Sequence, residues 1–196
     1  MRSLISHQKR KSPISEQYRT LRTNIQFSNV DRNIRSIMIT SSFQEEGKST
    51  TAANLAVVFA QQGKRVLFVD GDLRKPTVQY TFQLENHIGL TNVLTKQTTL
   101  GAAVKNSHIT DLWILTSGPI PPNPAELLGS QAMEELLEEM YSQFDMIIFD
   151  TPPVLPVADA YILANQCHGI VLVMKSGAVE KDAALKAKDI LENADG

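Results

Sequence analysis

Hydrophobic and polar positions divide the chain into segments of two kinds. Five short segments are almost continuously apolar, which is typical of strands that are buried on both faces of a sheet. They are Arg35–Ser41, Arg65–Asp70, Asp111–Thr116, Phe144–Asp150 and Gly169–Lys175. Segments with helical spacing lie between them. This alternation predicts an α/β fold, with a mostly parallel sheet and helices on both of its faces.

Four helices are predicted from apolar spacing and from residues typical of helix ends. Pro13 and the candidate N-cap Ser15 mark the start of the first helix. The third helix runs through Met133 and Met140, and apolar residues recur at helical spacing from one to the other. Glutamates occupy the intervening polar positions. The other two cover Lys48–Gln62, which Gly63 follows, and Glu180–Leu191.

Length and composition favour one soluble domain. The chain has 196 residues, of which 42% are hydrophobic and 20% charged. The polar composition of residues 1–12 predicts a flexible N-terminal arm. Residues 13–196 are expected to form a single domain. No apolar run reaches the ~20 residues that cross a bilayer, and the single cysteine, Cys167, fits a reducing cytoplasm.

Charge and cysteine content exclude several kinds of function. Nineteen Lys and Arg against 21 Asp and Glu leave a formal net charge of -2. A chain so close to neutral has no global positive field for binding a nucleic-acid backbone, so no nucleic-acid partner is expected. One cysteine permits no internal disulfide and no four-cysteine metal site.

The segment Ser42–Thr50, with the sequence SFQEEGKST, lies between the first strand and the first long helix. A strand-to-helix turn presents backbone N–H groups and a helix N-terminus to phosphate oxygens. Lys48 adds a positive charge there, and the Ser49 hydroxyl is a ligand for Mg²⁺. The segment therefore predicts a nucleotide-binding loop that includes Glu46, Gly47, Lys48, Ser49 and Thr50.

This loop departs from the usual phosphate-loop pattern. Ser42 stands where glycine or alanine is usual, although serine is also small. Glu45 and Glu46 place two negative charges beside a polyphosphate, which weakens binding unless both carboxylates point away from it.

Three aspartates follow two of the predicted strands. Asp70 ends the second strand and Asp72 follows it two residues later, and Asp150 ends the fourth strand. Ligands of parallel sheets bind at the carboxyl ends of the strands, so these carboxylates are expected to converge on the phosphate loop. Such a group supplies ligands for Mg²⁺ and a proton acceptor for an attacking hydroxyl.

An ordered set of motifs resembles the bacterial protein-tyrosine kinases that regulate capsule and exopolysaccharide synthesis, a branch of the P-loop ATPases. The resemblance covers about residues 13–195. The motifs are Glu16-x-x-Arg19-x-x-Arg22, GKST, VLFVDGDLRKP, TSGPIPPNPAELL and IIFDTPP. The resemblance implies that Mg²⁺ and ATP are bound, and that the chain phosphorylates itself and other proteins on tyrosine.

Residue roles follow from the same resemblance. Lys48 would hold the β- and γ-phosphates, and Ser49 would be a ligand of Mg²⁺. Asp72 and Asp150 would organise the metal and its waters, and Asp70 would accept the proton of the tyrosine.

The resemblance also implies partners. Glu16, Arg19 and Arg22 would mediate assembly into a ring-like oligomer. The alternative is an intrahelical Glu16–Arg19 pair, which stabilises a helix by ~0.2–0.5 kcal/mol. The activator is expected to be a separate membrane-embedded protein, which would hold this cytoplasmic chain at the inner face of the plasma membrane.

Kinases of this type usually continue into a further strand and a tyrosine-rich tail. The four tyrosines of this chain are dispersed, and the last helix is followed closely by Gly196. The sequence is therefore expected to be truncated before those elements.

Two other functions remain open at this point. A partitioning-type ATPase shares the fold, but it carries a lysine where this chain has Phe43. A catalytically weak, nucleotide-gated adaptor of the polysaccharide machinery would keep the fold and the oligomer motif and act through contact alone.

Overall fold

The computed structural model describes residues 4–28 and 33–194. These ranges form ten helices and six strands. They are α1 (Ile5–Gln8), α2 (Pro13–Phe27), β1 (Ser36–Ser41), α3 (Lys48–Ala60), β2 (Val66–Asp70), α4 (Val78–Phe82), α5 (Leu90–Leu94), α6 (Leu100–Ala103), β3 (Lys105–Asn106), β4 (Leu112–Leu115), α7 (Pro124–Leu128), α8 (Gln131–Gln143), β5 (Met146–Asp150), α9 (Asp159–Ala164), β6 (Gly169–Val173) and α10 (Lys181–Glu192). Among these helices, none combines the length and apolar character that a bilayer crossing requires.

The six strands form one sheet in the order β3-β4-β2-β5-β1-β6. Every neighbouring pair is parallel except β3 with β4. The five predicted strands are confirmed, each within a few residues of its predicted ends. β3 was not predicted because its two residues, Lys105 and Asn106, are polar and too few to show a pattern.

The sheet separates two apolar cores, as the α/β prediction requires. Alternate residues of the central strand β5 point to opposite faces. Ile147 and Phe149 contribute to the core that is covered mainly by α5–α10. Met146 and Ile148 contribute to the core that α2, α3 and α4 cover. The predicted fold class is therefore confirmed.

The N-terminal segment differs from the predicted flexible arm over residues 4–12. Leu4 is buried in the core beside α3. Ser6 is bracketed by α3, because its N–H donates to Asn54 Oδ1 (2.9 Å) and its carbonyl accepts from Gln61 Nε2 (2.8 Å). The polar composition of this segment gives no sign of these contacts. The hydrogen-bond partners of Ser6 lie about 50 positions away, so local sequence patterns do not predict them.

The start of α2 is also corrected. Ser12, not Ser15, is the N-cap, and its hydroxyl accepts a hydrogen bond from the Ser15 N–H (3.2 Å). Ser15 is instead buried and donates to backbone carbonyls of the preceding segment. Residues 1–3 of the expected arm and Gly196, on which the expected truncation rests, lie outside the described residues.

Candidate active site

The loop between β1 and α3 encloses a cavity of about 450 Å³ at the carboxyl ends of the strands. Gly47 is the N-cap of α3 and has a left-handed φ of 96°, a conformation that glycine adopts without steric cost. The cavity is lined by Gln44, Glu45, Gly47, Lys48, Ser49, Thr50, Asp72, Lys75, Thr77 and Pro153. The N-terminus of α3 therefore opens into the cavity, and such helix ends attract anions.

Glu46 braces this loop from within. Its Oε1 accepts a hydrogen bond from the Phe43 N–H (2.7 Å), while the Phe43 carbonyl accepts one from Ser41 Oγ (2.5 Å). Glu46 is buried and does not line the cavity. Of the two loop glutamates, Glu45 lines the cavity and Glu46 does not.

Lys48 is surrounded by oxygen atoms of three other residues. Its Nζ lies 3.4 Å from Ser49 Oγ, 3.4 Å from Asp72 Oδ2 and 3.6 Å from Asp150 Oδ1. All four residues are buried or nearly so. The predicted convergence of the loop with two aspartate-bearing strand ends is therefore present in the structure.

Asp70 lies directly across the β2–β5 pairing from Asp150 and is fully buried. Its carboxylate accepts backbone hydrogen bonds from Val78 (2.9 Å), Thr77 (3.0 Å) and Asp72 (3.3 Å). Burial, and then the neighbouring Asp150 carboxylate, raise the pKa of Asp70 from 3.8 to about 8. The amides of Val78 and Thr77 act in the opposite direction.

The oxygen atoms around Lys48 fit the chemistry of Mg²⁺. A hydroxyl and two carboxylates already surround one positive group, and Mg²⁺ prefers hard oxygen ligands. Within residues 4–28 and 33–194, no group of three or more His, Cys, Asp or Glu side chains is arranged to hold a metal by itself. Mg²⁺ would therefore need phosphate oxygens and waters as additional ligands, which is its usual mode of binding.

Sequence reasoning missed three residues of the cavity wall. Lys75 and Thr77 follow the Asp70-Gly71-Asp72 motif, and Pro153 follows Asp150. Lys75 Nζ donates to Gln44 Oε1 (3.3 Å) and so connects the loop after β2 with the phosphate loop. Their closeness in sequence to the aspartate motifs is the signal that identifies them.

A second cavity, of about 630 Å³, contains the arginines of the predicted oligomer motif. Arg19, Arg22 and Arg10 are among its lining residues. The intrahelical alternative is also realised, because Arg19 Nη1 lies 2.5 Å from Glu16 Oε2. Arg22 Nη1 donates to the Val58 carbonyl (2.8 Å), so this arginine is held against α3 and not against Glu16.

Comparison with known proteins adds to this geometry. Residues 34–178 match the family model described as an AAA domain. The chain is 60% identical over 190 residues to the tyrosine-protein kinase YwqD of Bacillus subtilis, covering 97% of this chain and 80% of that protein. It is 42% identical over 193 residues to the putative tyrosine-protein kinase CapB of Staphylococcus aureus, covering 98% of this chain and 85% of that protein.

Solved structures give the same result. The chimerical protein CapA2B2 superimposes with a TM-score of 0.95 at 44% identity, covering 97% of this chain and 84% of that one. The septum site-determining protein MinD of Pyrococcus horikoshii, complexed with Mg-ADP, has a TM-score of 0.69 at 25% identity, covering 82% of this chain and 65% of that one. The P-loop fold is thus shared with this septum site-determining protein, while the stronger likeness is to the kinases. The chain belongs to the bacterial tyrosine-protein kinase family.

Proposed function

We propose that this chain transfers the γ-phosphoryl group of Mg²⁺-bound ATP to tyrosine hydroxyls, on other proteins and on itself, and thereby regulates extracellular polysaccharide synthesis. The observation that carries the proposal is the group of Ser49, Asp72 and Asp150 around Lys48, at the N-terminus of α3. Phosphoryl transfer depends mainly on positioning and on neutralising charge, and this group supplies both a cation and metal ligands.

Apart from the proton acceptor, the residues divide into three roles. Lys48 and the backbone N–H groups of Gly47–Thr50 bind the β- and γ-phosphates. Ser49, Asp72 and Asp150 hold Mg²⁺, directly or through its waters. When bound, the metal neutralises charge on the phosphate oxygens. The Glu46 carboxylate keeps the loop in shape through the Phe43 N–H.

Asp70 is the proposed proton acceptor. In the balanced reaction the tyrosine oxygen bonds to the γ-phosphorus, ADP leaves with the former bridging oxygen, and the phenolic proton passes to an Asp70 carboxylate oxygen. Asp70 is buried beside Asp150, and its Oδ2 accepts from two backbone amides whereas its Oδ1 accepts, among the described residues, only from the Asp72 amide, so Oδ1 has a lone pair to take the proton.

Replacing Asp70 by asparagine tests this role. We expect Asp70→Asn to lower tyrosine phosphorylation by about a hundredfold or more, the typical contribution of a general base. The affinity for Mg²⁺-bound ADP should change by much less. Transfer is measured with γ-labelled ATP and binding by calorimetry.

The matched control is Asp145→Asn, at the opposite end of β5, and it should leave transfer unchanged. Equal losses of binding and transfer in Asp70→Asn would contradict the assigned role. If the unmodified protein forms no phosphotyrosine, alone or with the cytoplasmic tail of a membrane partner, but assembles on nucleotide, the adaptor function replaces the kinase function.

The Glu45 side chain is expected to weaken nucleotide binding. Glu45 has a left-handed φ of 63° and lines the cavity. We expect Glu45→Gln and Glu45→Gly to tighten ADP binding by about fivefold, because one negative charge near the phosphates is removed. Glycine also relieves the backbone strain of ~1 kcal/mol, and its greater freedom in the unfolded chain offsets much of that gain.

Calorimetric ADP binding and chemical denaturation measure these two effects separately. Glu134→Gln, on the exposed face of α8, is the control for loss of a distant carboxylate. If Glu45→Gln and Glu45→Gly both bind ADP with unchanged affinity, the Glu45 charge is not directed at the phosphates.

The proposal extends to assembly and location. Arg19 and Arg22 are proposed to hold copies of the chain in a ring, with Glu16 orienting Arg19. The activator is proposed to be a separate membrane-embedded protein that recruits the chain to the inner face of the plasma membrane. This part is supported by the oligomer motif and by the cavity that its two arginines line.

Alanine substitutions test the assembly. We expect Arg19→Ala and Arg22→Ala to shift the protein from oligomer to monomer in sedimentation velocity, because each removes a positive charge from the second cavity. Lys11→Ala removes an exposed charge near the same helix and should leave the distribution unchanged. An unaltered oligomer in both arginine variants, with normal circular dichroism, would rule out this motif as the interface.

A further inference from the structure

Arg74, which lies in the motif VLFVDGDLRKP, forms an ion pair with Asp159, and no role has been given to either residue so far. Arg74 Nε and Nη2 donate to the two Asp159 carboxylate oxygens, each at 2.9 Å. The Asp159 side chain is fully buried, whereas that of Arg74 is 42% exposed. A planar guanidinium that binds both oxygens of a carboxylate fixes orientation as well as distance.

The pair joins the two loops that carry the proposed metal ligands. Arg74 lies two residues after Asp72, in the loop that follows β2. Asp159 is the first residue of α9, at the end of the segment that begins after Asp150. The loops also touch directly, because the Gly71 N–H donates to the Asp150 carbonyl (2.8 Å).

The opposite ends of the same two strands carry a pair of the same chemistry. Arg65, just before β2, binds Asp145, just before β5, with Nη2 to Oδ1 at 3.0 Å and Nε to Oδ2 at 3.3 Å. Both of these side chains are exposed. One Arg–Asp pair therefore joins the residues just before β2 and β5, and another joins segments that follow these strands; the second pair contains the buried carboxylate.

We infer that Arg74 and Asp159 are positioning residues that hold Asp72 and Asp150 at the spacing needed to bind Mg²⁺ together with nucleotide. The inference rests on the metal roles given under the proposed function. Neither residue touches the metal. Each acts through the loop that carries a ligand, as residues beyond the ligands of other metal sites do.

The test compares two double variants, since removing one partner alone leaves an unpaired charge. Arg74→Met with Asp159→Leu replaces the ion pair by apolar side chains of similar size, a change that proteins often tolerate. Arg65→Met with Asp145→Asn is the matched control. ADP affinity is measured by calorimetry across a Mg²⁺ titration and without Mg²⁺, so the readout does not depend on activity.

We expect the Arg74/Asp159 double variant to need at least about tenfold more Mg²⁺ for half-maximal enhancement of ADP binding. Its ADP affinity without Mg²⁺ should change by less than about twofold, since the phosphate loop is unaltered. The control variant should match the unmodified protein in both measurements. Arg74→Lys keeps the charge and loses the two-point geometry, so its Mg²⁺ requirement should lie between those of the double variant and the control. It is used alone if the double variant does not fold.

The Asp72→Asn variant distinguishes failure of the positioning role of Arg74 and Asp159 from failure of the metal assignment. If Asp72→Asn raises the Mg²⁺ requirement while the Arg74 variants do not, the positioning role is overturned and the metal assignment stands. If Asp72→Asn leaves the requirement unchanged, the metal assignment itself fails, and the inference with it. An equal shift in the Arg65/Asp145 control would show a general effect of strand pairing and would also overturn the inference.

Discussion

Replacing Lys48 by methionine is expected to lower tyrosine phosphorylation by about a thousandfold, the scale on which charge-stabilising groups act in phosphoryl transfer. Lys48 Nζ lies within 3.6 Å of both Asp72 and Asp150. Methionine keeps most of the side-chain volume but removes the positive charge that the phosphates require. The buried carboxylates then lose their shared cation, which further disfavours a polyphosphate in the cavity.

Transfer from γ-labelled ATP and recovery of labelled phosphotyrosine measure this effect, and thermal unfolding separates lost chemistry from lost fold. Lys188→Met is the control, because Lys188 is exposed and its ion pair with Glu192 lies on the surface of α10. A Lys48→Met protein that retained more than a tenth of the activity would show that the phosphate charge is neutralised elsewhere.

The second large effect is expected on stability, at Gly89. A Cβ atom built on Gly89 would lie 2.1 Å from the Thr116 carbonyl oxygen and 2.3 Å from the Gly118 nitrogen. Both are backbone atoms of the loop after β4, and this loop accepts hydrogen bonds from Leu90 and Thr91. Gly89→Ala therefore forces two backbone segments apart and should cost at least about 3 kcal/mol of unfolding free energy.

Gly101→Ala is the matched control for Gly89→Ala. Gly101 lies in the helix α6, and an added Cβ meets no atom within 4 Å. This substitution should stabilise the protein by about 0.5–1 kcal/mol, because alanine loses less conformational freedom in a helix. Chemical denaturation of both variants provides the comparison. Equal stability of the two would contradict the close approach at Gly89.

The elements that position the site could be predicted because their signals are local. β2 and β5 are continuously apolar and each ends in an aspartate, and in the sheet Asp70 lies opposite Asp150. Gly47 and Lys48 stand where a strand passes into a helix, so the position of the phosphate loop is evident in the sequence.

Two contacts that the sequence did not predict join distant positions, and a third depends on local backbone geometry. Ser6 is held by Asn54, and Arg74 by Asp159, and the partners are 48 and 85 positions apart in the sequence. The inward turn of Glu46 onto the Phe43 N–H depends on the path of the backbone, which residue types alone do not determine. The roles of Asp70, Asp72 and Asp150 stay predictions until the variants are measured.

The strand order has a consequence for how the protein acquires its site during folding. β1 and β2 are consecutive strands along the chain, yet β5 lies between them in the sheet. β2 can pair earlier with β4, but β1 and β2 are joined only after residues 146–150 arrive, more than 75 positions after the end of β2. Such non-local pairing is slow, so we expect a growing chain to gain nucleotide affinity only after the strand carrying Asp150 has inserted.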